Sequence, residues 1–349
     1  MEHFFKDIEI HNFRGFDYLK IDGLSKVNVF VGANNVGKTS ILESVFMLSG
    51  MYNPMMPARI NYWRSLSHNT LDATRYLFHN IDFSNKPLLQ AQTVLGERKM
   101  SLSPTLFVDN ESATSGAGHA AIKSLNIDFF TKKESEEEEH QYHVMLYTDN
   151  NGVFQQQVDS SYHEQMSCLF IPSEKNDSNA LNNFVTLVKR GKRQIVAEAL
   201  QAFDPNIEAI EALPDGLYLQ IKDLKELLPM SMAGDGVRRV LNIISSIATE
   251  NYNVVIIDEI DTGLHYSAHR AMWNAILAFV EKHDVQLFIT THNLECLQGI
   301  KNAMETNVAY QSLSTIYNVA NTKKNGYQAY RYSYPELKEA INNEIEIRR

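Results

Sequence analysis

The sequence predicts an α/β fold in which a mainly parallel sheet is flanked by helices. Three observations predict it. A β-branched run at residues 27–31 (V-N-V-F-V) enters a glycine-containing loop, and a helical pattern leaves that loop at residues 38–49. From residue 229 onward, short apolar strands alternate with apolar helices, the pattern of a parallel sheet with helical crossovers. The chain also has the length and composition of an ordinary globular protein: 349 residues, 44% hydrophobic and 21% charged.

Taken in order, residues 5–10, 18–21 and 27–31 are short apolar runs bounded by turn formers, each the length of a strand. Residues 38–49 place Ile41, Leu42, Val45, Phe46 and Leu48 at helical spacing. Residues 50–125 are loop-rich, with Pro54, Pro57, Pro87, Pro104 and a small-residue stretch at 110–118. Alternation at 124–130 and 142–147 predicts two strands around the charge run 132–140, read as a solvated hairpin loop or tip. Residues 178–212 read as helical, with Leu181, Phe184, Val185, Leu187 and Val188 on one side. A loop at 229–236 then precedes a helix at 237–248, a strand at 254–257, a helix near 267–282 and a strand at 285–290. A short strand near 329–332 and a helix at 335–344 complete the pattern. No internal repeat or sustained heptad occurs.

Charge and composition exclude several classes. Lys and Arg number 32 against 42 Asp and Glu, a formal charge of −10, which argues against a general nucleic-acid coat but leaves room for a local basic face. No apolar run approaches the roughly 18–20 residues of a membrane helix, and the opening residues do not resemble a signal peptide. Cys168 and Cys296 match no metal or redox spacing and are expected as free thiols in a reducing cytoplasm. The expectation is a cytoplasmic protein without a membrane segment.

The octet Gly32-Ala33-Asn34-Asn35-Val36-Gly37-Lys38-Thr39 fits G-x-x-x-x-G-K-[ST]. Its glycines let backbone N–H groups turn toward phosphate oxygens, with the positive end of the following helix behind them. Lys38 then reaches the β- and γ-phosphates, the Thr39 hydroxyl ligates Mg²⁺, and Ser40 continues the cradle. Average residue usage produces such an octet by chance in roughly one chain of this length per hundred. The strand before it and the helix after it reduce that further. A second element, residues 254–259 (V-V-I-I-D-E), delivers two carboxylates at the end of an apolar strand. Asp258 suits Mg²⁺ held through its water shell, and Glu259 suits a general base for the attacking water. A third strand, residues 287–292 (L-F-I-T-T-H), delivers His292, which can hydrogen-bond a γ-phosphate. The loop Ser231-Met232-Ala233-Gly234-Asp235-Gly236 opens a helix and is either a second anion cradle or a capped turn.

The order of these four elements resembles the ATP-binding-cassette (ABC) ATPases, and more narrowly the RecF/SMC-like branch that contains the OLD-family and AAA15/AAA21-type ATPases. The narrower likeness lies in I-E-I-H-N-F-R-G-F (residues 8–16), V-G-A-N-N-V-G-K-T-S-I-L-E, D-E-I-D-T-G-L-H and the C-terminal R-Y-S-Y-P-E-L-K-E-A-I-N-N-E-I-E-I-R. It covers residues 1–50 and 225–349, a discontinuous ABC-type ATPase core. Residues 51–224 match only by position, as a helical and β insertion with a partner-binding or dimerisation surface. The resemblance implies ATP and Mg²⁺ as ligands and a head-to-tail dimer sandwiching two ATP molecules. Lys38 of one subunit and the signature loop of the other, with Ser231, Gly234 and Gly236, would grip one triphosphate. It makes Glu259 the hydrolytic base and His292 the switch histidine. Two positions depart from the transporter pattern: His265 stands where transporter cassettes carry Asp, and the signature loop is not L-S-G-G-Q. Arg14, in N-F-R-G-F, is either a nucleotide contact or an ordinary surface arginine.

His265 and His269, four apart, lack the third ligand or intervening Glu of a zinc site. Lys189, Arg190, Lys192 and Arg193 form a dense basic cluster, a solvated helix end or a contact for nucleic-acid phosphates. No D-x-D pair follows His292, so an intrinsic TOPRIM nuclease is not expected. The likeness extends to stand-alone ATPase subunits of bacterial anti-phage systems such as the PARIS AriA subunit. It implies an ATP-hydrolysing sensor or scaffold, a homodimer or higher oligomer that controls a separate nuclease or toxin and answers a phage-encoded trigger. The alternative is a RecF-like DNA-binding repair ATPase.

Overall fold

A computed structural model describes residues 4–66, 70–107, 121–133, 138–149, 151–173 and 180–343. The small-residue stretch at 110–118 and the centre of the charge run, 134–137, lie outside these residues. The chain divides into two units, with elements numbered along the chain.

The first unit comprises Met1–Leu24, Ala33–Cys168 and Val319–Tyr330. Its strands are β1 (Asp7–Phe13), β2 (Phe16–Asp22), β4 (Leu88–Thr93), β5 (Gly96–Phe107), β6 (Ala121–Lys132), β7 (His140–Thr148) and β8 (Phe154–Gln157). They form one seven-stranded sheet in the order β2-β1-β4-β5-β6-β7-β8, antiparallel at every pairing. Alternation with period two selects its core face: Ile8 and Ile10 of β1 and Ile127 and Phe129 of β6 are buried. The unit also holds α1 (Lys38–Ser49) and α2 (Met56–Trp63). Ten of the twelve residues of α1 are buried, more than a one-sided apolar stripe requires. Its serines tolerate this because Ser44 and Ser49 donate to the carbonyls of Ile41 and Val45 on their own helix.

The second unit comprises Ser25–Gly32, Leu169–Asn318 and Arg331–Arg349. Its sheet runs β15-β3-β14-β13-β9, from β3 (Val27–Val31), β9 (Cys168–Ile171), β13 (Val254–Ile257), β14 (Gln286–Thr290) and β15 (Ser314–Thr322), with β16 (Gly326–Tyr332) beside β15. The pairs β13–β14, β14–β3 and β3–β15 are parallel, as the alternation of strands and helices predicts. All residues of β3, β13 and β14 are buried. Each Val or Ile withdrawn from water there contributes about 1.5–3 kcal/mol. Helices α3 (Ala180–Lys189), α4 (Arg193–Phe203), α5 (Asp235–Thr249), α6 (His269–Lys282), α7 (Leu294–Thr306), α8 (Val308–Leu313) and α9 (Tyr334–Asn342) follow, with a small antiparallel sheet of β10 (Ile207–Leu213), β11 (Gly216–Ile221) and β12 (Leu228–Pro229).

Several segments differ from the sequence expectation. The stretch 50–125, read as loop-rich, holds α2, β4 and β5, whose alternate residues Leu89, Ala91, Met100 and Leu102 are buried on one face. The helical reading of 178–212 holds for 180–189 and 193–203, with a break where Gly191 takes φ +70°, and fails after Phe203, because Pro205 disfavours αR backbone at Asp204 and the chain continues as β10. Strand β15 lies in a stretch to which the sequence reading assigns no element. Its Ser314, Thr315 and Asn318 interrupt the apolar run, yet they are buried, and Thr315 shares a 2.6 Å hydroxyl contact with Ser25. Among the described residues no helix is long and apolar enough to cross a membrane.

Candidate nucleotide site

Strand β3 ends at Val31, and the loop that follows from Gly32 carries the sequence-predicted phosphate residues. Three of its backbone positions lie at positive φ: Gly32 at 148°, Asn35 at 63° and Gly37 at 102°. Gly37 is fixed twice over. Its φ belongs to glycine, and a Cβ there would stand 2.4 Å from Cζ of Phe16. Phe16 is itself fully buried, edge-on to Tyr327 at 4.8 Å between ring centroids. A side chain is therefore excluded where the backbone must turn, the condition for a phosphate cradle. Ala33, Asn34 and Asn35 are exposed, Lys38 donates from Nζ to the Ala33 carbonyl at 2.9 Å, and α1 starts at Lys38 without a side-chain cap. The geometry suits a triphosphate, with N–H donors and a positive helix end directed at the loop.

Arg14 is not a surface arginine. Its side chain is 8% exposed and grips Glu43, 2% exposed, through Nε at 3.0 Å and Nη2 at 3.2 Å. Nη2 also donates to Asn61 Oδ1 at 2.9 Å and Nη1 to the Tyr76 carbonyl. Burial lowers the pKa of Arg14 from its ordinary value, and Glu43 opposes that shift. Arg64 binds the same carboxylate at 2.6 Å and reaches the Ser40 hydroxyl at 3.3 Å. Glu43 thus ties the phosphate-loop helix to two arginines. Glu43→Ala is expected to lower unfolding stability by about 3–5 kcal/mol, because it strands buried guanidinium charge. Thermal denaturation in the absence of nucleotide checks this; an unchanged midpoint would mean the ion pair is dispensable.

In the second unit, parallel pairing sets the carboxyl ends of three strands level: Ile257 pairs with Ile289, and Ile289 with Val29. Asp258 and Glu259 leave β13 at that edge, and Thr291 and His292 leave β14. The hydroxyl of Thr290 donates to Asp258 Oδ1 at 2.6 Å and accepts from the Glu259 N–H at 2.8 Å. Glu259 holds φ at +45°, a rare conformation for a non-glycine residue, and its side chain remains 45% exposed. Its Oε1 lies 3.8 Å from Nδ1 of His292, itself 51% exposed. Both side chains are thus within reach of solvent. Arg239, buried on α5, directs its guanidinium to the carbonyls of Glu259 and Ile260 at 3.4 and 3.5 Å.

The Ser231–Gly236 segment runs from a 3-10 turn at Met230–Met232 into the first turn of α5, which starts at Asp235, two residues earlier than the sequence predicts. Ser231 and Gly234 are exposed and nothing stands within 4 Å of a Cβ built at Gly234, which leaves it open to a ligand or a second subunit. Gly236 has a packing reason of its own, since a Cβ there would meet Phe203 at 2.6 Å. The Thr39 hydroxyl in the first unit and the Asp258 carboxylate in the second are each oxygen donors, the kind of ligand that Mg²⁺ prefers.

The remaining candidates have local partners. Arg190 donates to the Thr249 carbonyl, Lys192 approaches Asn251 at 3.5 Å and Arg193 pairs with Glu211 at 3.6 Å; Lys189 ends α3. His265 contacts Ser267, His269 is buried, and no metal-binding group of three or more His, Cys, Asp or Glu occurs among the described residues. Cys168 and Cys296 are free cysteines, and burial pushes the Cys296 thiol well above its ordinary value. Thr290, Glu43, Arg64 and Arg239 have no role in the sequence reading. Glu43 and Thr290 carried a signal, since both fall inside quoted motifs, Glu43 closing the phosphate-loop segment and Thr290 ending an apolar strand.

A family model described as "AAA domain, putative AbiEii toxin, Type IV TA system" matches residues 27–297, well over half of the chain. The chain belongs to this family. An ATP/GTP phosphatase of Helicobacter pylori (strain ATCC 700392 / 26695) is 26% identical over 340 residues, covering 88% of this chain and 90% of its own. The DNA replication and repair protein RecF of Heliobacterium modesticaldum is 51% identical over 43 residues, 12% of either chain. Among solved structures, the SMC head bound to the C-winged helix domain of ScpA aligns over 97% of this chain and 99% of its own, with a TM-score of 0.51 at 10% identity. The fold of this AAA-family chain is therefore that of an SMC-type ABC ATPase head.

Proposed function

We propose that this AAA-family chain is a Mg²⁺-dependent ATPase that closes around ATP as a head-to-tail dimer. In that role it serves as the sensor subunit of an anti-phage defence system and restrains a separate nuclease or toxin. The observation that carries the ATPase reading is the level alignment of β3, β14 and β13. One sheet edge thereby launches the phosphate loop, His292 and the Asp258–Glu259 pair. The defence reading draws support from the toxin–antitoxin description of the family and from the likeness to OLD-type and AriA-type subunits. The phosphatase name of the Helicobacter pylori relative supports nucleotide hydrolysis.

In this reading Lys38 and the loop N–H groups hold the β- and γ-phosphates. Thr39 and Asp258 would hold Mg²⁺, which supplies charge neutralisation for phosphoryl transfer. A carboxylate oxygen of Glu259 accepts the proton of the attacking water, and His292 hydrogen-bonds the γ-phosphate. Ser231, Gly234 and Gly236 meet the nucleotide bound by the partner subunit. Ser231→Arg is expected to abolish ATP-dependent dimerisation while single-site ATP affinity stays within about threefold, since the exposed loop contributes little to its own fold. Sedimentation with and without Mg·ATP reads the difference, and a dimer formed as in the unaltered protein would refute the shared site.

Short matches to RecF favour a second reading, a DNA-bound repair ATPase. One experiment separates the two. Tagged Glu259→Gln protein is recovered from its host with ATP present, and what co-purifies is identified. A stoichiometric nuclease or toxin supports the sensor reading. DNA without a protein partner supports the repair reading and removes the first.

A further inference from the structure

We propose that Thr290 is a positioning residue whose single hydroxyl sets the metal-side carboxylate and the hydrolytic base relative to one another. The inference rests on the roles given above to Asp258 and Glu259, and extends them to the threonine two positions before His292, which has no role in the sequence reading. Thr290 is 1% exposed, at the last position of β14. Its hydroxyl has one proton to give and gives it to Asp258 Oδ1 at 2.6 Å, while its lone pairs receive the Glu259 N–H at 2.8 Å. Its carbonyl accepts from the Ile260 N–H at 3.1 Å. The chain from Asp258 to Ile260 is thus wrapped around one residue of the neighbouring strand.

Two consequences follow from the chemistry. A proton donated to Oδ1 engages that oxygen and fixes the carboxylate plane, so Asp258 presents its second oxygen in one orientation. The bond to the Glu259 amide falls where the backbone is strained, at φ +45°, and holds the peptide in the turn that aims the carboxylate. His292 lies two residues beyond Thr290 on the same chain. Valine keeps the β-branched shape that a central strand favours and removes the hydroxyl; serine keeps the hydroxyl and removes the methyl.

The test uses Thr290→Val and Thr290→Ser in the full-length protein. Without nucleotide, hydrogen exchange of the amides from Asp258 to Asp261 is expected to rise about tenfold or more in Thr290→Val and to stay near the unaltered rate in Thr290→Ser. With a fluorescent ATP analogue, Thr290→Val should keep its metal-free affinity within about twofold but need about tenfold more Mg²⁺ for half-maximal effect. Its kcat should fall by about tenfold to a hundredfold with KM within about threefold, and serine should restore it. Unchanged exchange and an unchanged Mg²⁺ requirement in Thr290→Val overturn the proposal. Loss in Thr290→Ser equal to that in Thr290→Val does so too, because packing of the methyl would then be the cause. If Thr290→Val does not fold, Thr290→Ser alone decides: near-native exchange and Mg²⁺ requirement support the hydroxyl, and loss of both contradicts it. Failure of the ATPase reading shows itself separately, as an unaltered protein without turnover, and leaves the nucleotide-free exchange result standing.

Discussion

Lys38→Ala is expected to weaken ATP binding by about a hundredfold or more, the cost of removing one member of a close charge pair. Lys38 sits at the first position of α1 and folds its ammonium over the loop onto the Ala33 carbonyl, so the loop's own geometry already places the charge inside the cradle. The loop carbonyl loses one donor, and the partly exposed side chain has little packing to lose. The fold should survive, with unfolding stability changed by no more than about 0.5 kcal/mol. Calorimetric titration with Mg·ATP, alongside a thermal melt, measures both quantities. An affinity within about threefold of the unaltered protein would overturn the phosphate-loop assignment.

Glu259→Gln should bind ATP with near-native affinity and hydrolyse it at least about a hundredfold more slowly, the lower end of what a positioned general base contributes. Glutamine matches the side chain in size and leaves the backbone bond from residue 259 to Thr290 in place, so the strained φ is retained. What it loses is the carboxylate oxygen that can accept a proton from water. A single-turnover assay isolates the chemical step from product release. Normal turnover in this variant would assign the base to another group, such as His292, whose Nδ1 lies 3.8 Å from Glu259 Oε1.

The parts of the molecule legible in the sequence are those specified over short stretches. The phosphate loop reads directly because Gly32 and Gly37 meet local backbone demands, and β13 and β14 read directly because an entirely buried parallel strand needs an unbroken apolar run. Of the seven-stranded sheet, only β1, β2, β6 and β7 are legible, as separate strands, while β4 and β5 lie in a stretch that reads as loop-rich. Its β1–β4 pairing joins Ile10 to Leu89, and no local pattern encodes such a partner. Strand β15 is hidden because polar residues interrupt its apolar run, and one of them, Thr315, finds its partner Ser25 only through the tertiary fold. Arg14 shows the same limit in the site itself. A motif marks the residue, but its ion pair with Glu43, twenty-nine positions away, decides that it is buried. Thr290 differs from both, since its place at the strand end was visible while its two hydrogen bonds depend on a turn from the neighbouring strand.

The central claim is that ATP closes two copies of this chain on each other. The most direct test is the molar mass of Glu259→Gln protein by light scattering, at one concentration, without nucleotide and then with Mg·ATP. The account predicts a mass that doubles with Mg·ATP and returns to its starting value when Mg²⁺ is chelated. A mass that is the same with and without Mg·ATP, in a protein shown to be saturated with nucleotide, would contradict it.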